Sequence, residues 1–193
     1  MIDLKQVTAI IVTKGDREIT PVLDSLSCFG VVSAWDNSRC KDRKVFGRYL
    51  AAFSALTDFI YVQDDDCLVD GARLCREYDP ASGELLCNML KGHQADYLNW
   101  PGVALVGWGS IFPRSMVDFS PYLSRYPEDE LFYRECDRVF TYLNRKKTRL
   151  IDIGVTHLEI AHGKDRLSLD PRHGNHMREI YQRLQGIERQ AAA

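Results

Sequence analysis

The amino-acid sequence predicts an α/β protein, a Rossmann-like and mostly parallel sheet flanked by helices within a single domain. Three observations carry that expectation. Runs of β-branched and apolar residues at 7–12, 31–35 and 59–62 have the length and composition of buried strands. Helical segments separate them, and strands alternating with helices at this spacing pair in parallel through right-handed crossovers. The third run, Phe59-Ile60-Tyr61-Val62, passes through Gln63 into three consecutive carboxylates, Asp64, Asp65 and Asp66. Acids at the carboxyl end of a parallel strand lie where open α/β sheets bind ligands. Held close together they repel, and a divalent, oxygen-seeking cation is their natural compensator.

Val7-Thr8-Ala9-Ile10-Ile11-Val12 reads as a buried first strand that ends in the polar turn Thr13-Lys14-Gly15-Asp16-Arg17. Thr20, as N-cap, and Pro21, as first helical residue, open a short helix that runs to about Cys28 and stops before Gly30. Val31-Val32-Ser33-Ala34-Trp35 follows as the second strand, with Asp36-Asn37-Ser38 as its polar end. Residues 43–56 form an amphipathic helix with Val45, Leu50, Phe53 and Leu56 turned inward. The second half continues with a helix at 70–78, strands at 85–89 and 103–106, and a short helix at 113–119. The strand at 103–106 runs into Gly107-Trp108-Gly109-Ser110. Pro127-Glu128-Asp129-Glu130 then leads a helix to about Asn144, its acids at the positive end of the helix dipole. A strand at 149–153 and a last helix at 175–190 complete the pattern. No repeat and no linker divides the chain, so one domain is expected, with 1–69 as its Rossmann-like nucleotide-binding half.

The 193 residues are 45% hydrophobic and 27% charged, which suits a globular domain with a sizeable core. No long apolar span and no basic-then-apolar leader is seen, so neither membrane insertion nor secretion is expected, and a cytoplasmic location is. The six cysteines are spread without a CxxC pair, which argues for free thiols over a zinc knuckle or a redox dithiol. A net charge of −2 provides no global field for nucleic acid, and the Arg145-Lys146-Lys147 cluster reads as a cationic helix end. The first strand is not followed by the glycine-rich dinucleotide fingerprint or by a Walker lysine motif, which argues against a dehydrogenase and a P-loop nucleotidase.

Taken in order, Ile11-Val12-Thr13, Trp35-Asp36-Asn37-Ser38, Asp64-Asp65-Asp66, Gly107-Trp108-Gly109-Ser110-Ile111-Phe112, Glu128-Asp129 and the C-terminal histidines resemble the GT-A glycosyltransferases. The likeness is to the small family 2 type and to short phage-encoded enzymes, and it spans residues 7–180. It implies a GT-A-like fold, with 70–193 as the acceptor and catalytic half, and transfer of a sugar from a nucleotide-sugar donor, a uridine diphosphate sugar foremost, to a hydroxyl acceptor with inversion. The acid block then corresponds to the DXD motif, which binds Mn2+ or Mg2+ across the donor diphosphate. By this resemblance Asp66 and Asp64 are metal ligands, Asp64 faces the ribose or base, and Asp65 sits beside the sugar. His173 is the expected third ligand, with His162 as the alternative. Thr13, Arg17, Asp36, Asn37 and Arg48 are expected on the donor, with Arg43 on phosphate or base and Arg166, Arg172 and Arg178 over the diphosphate. Asp129 is the expected catalytic base, with Glu128 or Glu130 as alternatives, because inverting transfer needs a carboxylate near the attacking hydroxyl. Gly107, Trp108, Gly109 and Glu128 are expected to bind the acceptor, for which a hydroxymethylated pyrimidine in phage DNA is one candidate; a phage-encoded chain would then work in the host cytoplasm. Two rival readings are a nucleotidyltransferase and a nucleotide-sugar binding module without catalysis.

Overall fold

The structure, a computed structural model, describes residues 2–98, 104–158 and 170–191. Its strands are β1 (Val7–Thr13), β2 (Val31–Asp36), β3 (Phe59–Asp64), β4 (Cys67–Leu68), β5 (Leu85–Asn88), β6 (Ser110–Pro113), β7 (Thr148–Ile151) and β8 (Thr156–His157). The helices are α1 (Thr20–Ser25), α2 (Gly47–Ser54), α3 (Gly71–Glu77), α4 (Lys91–Leu98), α5 (Ser120–Leu123), α6 (Glu130–Leu143) and α7 (His173–Ala191). Six strands form one sheet in the order β2-β1-β3-β6-β5-β7, and β4 and β8 form a separate ribbon. The result is a single α/β domain with a mostly parallel sheet flanked by helices, compatible with a Rossmann-like fold.

Strand alternation explains the layering. Val7, Ala9 and Ile11 of β1 and Tyr61 of β3 join one buried cluster with Val22, Leu26, Phe29 and Leu74, while Ile10, Ile60 and Val62 join the other with Tyr49, Phe112, Phe132 and Phe140. Successive side chains of a strand point to opposite faces, so each central strand feeds both clusters. Here α1 and α3 cover one face and α2, α5, α6 and α7 the other.

β1 pairs in parallel with β2 and β3, with Thr13 opposite Asp36 and Val12 opposite Asp64. β6 runs antiparallel to β3 and β5, Ser110 opposite Val62 and Cys87, and β5 pairs in parallel with β7. The loops after β1, β2, β3, β5 and β7 and the loop before β6 therefore emerge at one end of the sheet. Because β2 and β3 lie on opposite sides of β1, the connections diverge there, which is the switch point where open α/β sheets bind ligands.

Several expected elements shift. The helix at 43–56 is a 3-10 turn at Lys44–Phe46 followed by α2, and its buried face is Phe46, Tyr49 and Ala52. Phe53 is 50% exposed and Leu56 97% exposed, so the inward phase was misassigned. Gly47 sets the true phase, since a Cβ there would lie 2.2 Å from the Trp35 ring, and only glycine lets α2 approach β2 so closely. The strand expected at 103–106 is replaced by a 3-10 turn at Val106–Trp108, and the strand is β6, where Ile111 and Phe112 are buried; Val103 lies outside the described residues. The helix expected at 113–119 is a 3-10 turn at Arg114–Met116 followed by α5. All six cysteines are free of disulfides, and no described helix is long and apolar enough to cross a membrane.

Candidate functional site

The acid block closes β3 at the switch point. Gln63, buried, receives the Tyr61 hydroxyl at 2.7 Å and donates from Nε2 to the Cys67 carbonyl at 2.7 Å, so the turn that carries Asp64, Asp65 and Asp66 is braced from below. The ribbon braces it from the side: Cys67 pairs with His157, and the Leu158 N–H donates to the Asp66 carbonyl at 2.9 Å.

Each carboxylate meets a different environment. Asp64 Oδ1 accepts from Arg48 Nη2 at 2.6 Å, and its other side rests on Gly107, where a Cβ would lie 2.1 Å from Oδ2. Asp65 lies 3.3 Å from Arg17 Nη1 and is bonded to the Thr13 side chain, yet burial outweighs both and pushes its pKa above the usual carboxylate range. Asp66 sits 4.0 Å from Arg17 Nη1 with a quarter of its side chain exposed. Arg17 Nε and Nη1 are shielded from solvent and make no hydrogen bond, but both face carboxylates at ion-pair distance, Asp16 at 3.5 Å from Nε and Asp65 at 3.3 Å from Nη1.

The expected donor residues divide. Thr13, at the end of β1, and Arg17 touch the acid block directly. Asp36 borders the same edge at the end of β2, where Ser38 bonds to it and lowers its pKa and Arg39 Nε lies 3.1 Å away. Asn37 is turned inward. It is buried, its Oδ1 accepts from Trp35 Nε1 and the Arg43 N–H, and its Nδ2 donates to the Lys44 carbonyl. It therefore shapes the loop after β2, with its side-chain oxygen already accepting two hydrogen bonds. Arg48 also departs from expectation: its side chain is 1% exposed, between Asp64 and Asp137, whose Oδ2 lies 3.1 Å from Nη1. A guanidinium so enclosed reaches a donor only through Asp64.

The loop before β6, which holds residues expected to bind an acceptor, packs Gly107 against Asp64 of the block. Trp108 stands between His93 of α4 and His157 of β8, edge to face with each at 5.2 Å. Gly109 has φ +93°, and its carbonyl and that of Trp108 accept from the N–H and Nδ2 of Asn88 at 2.8 and 2.9 Å. Glu128 Oε1 accepts from the Tyr133 hydroxyl and from Arg43 Nη1, both at 2.7 Å, and its side chain is 45% exposed. Asp129 is spent differently. As N-cap of α6 its Oδ1 accepts from the Phe132 N–H at 2.8 Å, and its Oδ2 lies 3.0 Å from Arg183 Nη1. With a donor on each oxygen, it serves as a helix cap and an anchor for α7.

His173 Nδ1 lies 3.6 Å from Glu135 of α6, and burial holds its pKa below the usual histidine range. Nearby, Asp170 receives Arg134 and Arg172, so this segment fastens α7 to α6. Among the described residues no group of three or more His, Cys, Asp and Glu is arranged to hold a metal ion. His162 and Arg166 lie outside the described residues. Arg172 is committed to Asp170.

A hard dication does not require such a cage when one or two carboxylates hold it and phosphate and water complete its shell. The oxygen donors of Asp64 and Asp66 fit that mode, and the glycine at 107 leaves the space that the Asp64 carboxylate occupies.

No protein-family model matches this chain, and no curated protein matches it. Asp137 is the site residue that sequence reading missed. It sits on the helix face that buries Tyr133, Cys136 and Phe140, and an acid flanking such a stripe signals a buried partner.

Proposed function

We propose that this chain is a glycosyltransferase of GT-A-like build that moves a hexosyl or pentosyl group from a nucleotide sugar to a hydroxyl, with a divalent manganese or magnesium ion. The observation that carries the reading is the acid block at the switch point with the Arg17 guanidinium in ion-pair reach of Asp65 and Asp66. Clustered carboxylates alone repel a diphosphate, whereas carboxylates with a cation site and an arginine bind one. A dication held by Asp66 and Asp64 supplies charge stabilisation for the departing nucleoside diphosphate.

The chain's own residues do the rest. Arg17 meets phosphate oxygens, Thr13 and Asp36 border the nucleoside, and Asp65 lies beside the transferred sugar. Trp108, fixed between two histidines, provides a flat apolar face suited to a sugar or base ring. Glu128 takes the acceptor proton: both of its hydrogen bonds fall on Oε1, and it opens to solvent beside the loop after β2. A hydroxylated pyrimidine in DNA is one acceptor to test, since near-neutral charge argues neither for nor against it.

The test is incubation with manganese and a panel of nucleotide sugars and acceptors. A transferase releases nucleoside diphosphate in step with glycosylated product. Pyrophosphate from a nucleoside triphosphate instead identifies a nucleotidyltransferase, and binding without either product identifies a binding module.

A further inference from the structure

Arg48 is the most enclosed charge among the described polar residues, with 1% of its side chain exposed. Isolating a guanidinium from water costs several kcal/mol unless carboxylates and hydrogen bonds repay it. Two carboxylates offset part of this from different elements: Asp64 at the end of β3 accepts a hydrogen bond from Nη2 at 2.6 Å, and Asp137 in the middle of α6 forms an ion pair 3.1 Å from Nη1, while Nη1 and Nε make no hydrogen bond. Asp137 is itself fixed, since the Tyr49 hydroxyl donates to its Oδ1 at 2.8 Å. The chain Tyr49, Asp137, Arg48, Asp64 thus runs from the helices on one face of the sheet to the acid block. It ends where Asp64 meets the Gly107 backbone.

We propose that Arg48 is a positioning residue, anchored by Asp137, that clamps Asp64 against Gly107 and so sets the geometry of the acid turn for the cation and diphosphate. This rests on the donor site proposed above, and it assigns to Arg48 an action through Asp64 in place of contact with the donor. Arginine is required because its planar fork serves two carboxylates at once, whereas a lysine ammonium is a single point charge. Asp137 then matters to a site that it does not line. Groups that orient a metal-binding carboxylate change cation affinity by roughly 10–100-fold when lost.

The experiment measures Mn2+ affinity, with and without uridine diphosphate, for the parent chain, Arg48→Lys, Asp137→Asn and Tyr49→Phe, together with crystal structures of the parent and the variants. The expected result is Mn2+ affinity weakened about tenfold or more in both Arg48→Lys and Asp137→Asn, with no further loss in the double variant. Asp64 is expected to leave Gly107 in both structures. Tyr49→Phe, which removes one hydroxyl only, shows a smaller shift in the same direction and keeps the test open should the charge variants not fold. Unchanged Mn2+ affinity in Asp137→Asn overturns the inference, because a purely structural pair would alter stability alone. If the parent binds no Mn2+, the donor reading fails, and the clamp is judged by the structures: Asp64 unmoved in Arg48→Lys overturns it, and Asp64 displaced supports it.

Discussion

At the scale of single residues, neighbouring acids with similar chemical prospects have divided the work. Glu128 and Asp129 are adjacent, yet one opens to solvent with both bonds on one oxygen and the other is consumed by the α6 cap and Arg183. Asp129→Ala is expected to lower stability by about 1–2 kcal/mol, most of it the lost cap, with turnover per folded molecule retained. Glu128→Gln is expected to leave the melting temperature near that of the parent and to remove most transfer while sparing donor binding. Thermal melts and steady-state kinetics on both variants decide the assignment, and retained turnover in Glu128→Gln refutes it. The acid block was legible in the sequence because three consecutive carboxylates end an apolar run. The partners of Asp64 were not, since Arg48 and Asp137 lie 89 residues apart, from Arg48 to Asp137, and nothing local marks them as a pair. The one available signal was charge beside a buried helix stripe.

At the scale of elements, strands were read more reliably than helix faces. The runs that became β1 and β3 have only two faces to choose between, and burial on both makes the choice immaterial, whereas β2 is an edge strand with Val31 and Val32 exposed. A helix of eight residues such as α2 offers no such protection: Val45 and Leu50 do pack against the core, but Phe53 turns outward, Tyr49 is buried in its place, and Leu56 is exposed because the helix ends at Ser54. The corrected phase makes a direct prediction. Leu56→Ser, at a side chain 97% exposed, is expected to change stability by less than about 0.5 kcal/mol. Phe46→Ala, which empties a cluster containing Phe119, Phe132 and Tyr133, is expected to cost about 3–5 kcal/mol. Chemical denaturation of the two variants checks the pair, and a large loss in Leu56→Ser would reverse the assignment. The antiparallel β6 went unread for a related reason: a four-residue apolar strand carries no mark of direction, and its orientation is set by pairing with both β3 and β5.

At the scale of the whole molecule, the arrangement concentrates chemistry at one end of the sheet. β6 matters most to this, because its reversed direction brings the preceding loop, with Gly107 and Trp108, to the same end as the loops that follow the parallel strands. α6 begins just after Glu128 and carries Asp137 in its middle, and α7 with the segment before it is fastened to α6 through Asp129, Arg134 and Glu135. His173, which the sequence resemblance places on a metal, lies beside Glu135 in that fastening; order along the chain does not say which side of α6 it meets.

The central claim is that the Asp64 to Asp66 turn holds a nucleoside diphosphate with the help of a divalent cation. Isothermal titration of uridine diphosphate, with manganese and with a chelator, tests it most directly on the parent chain and on Asp66→Asn. The account predicts affinity that depends on manganese in the parent and is lost in Asp66→Asn while the variant stays folded. Equal affinity with and without the metal, or an unimpaired Asp66→Asn, would contradict it.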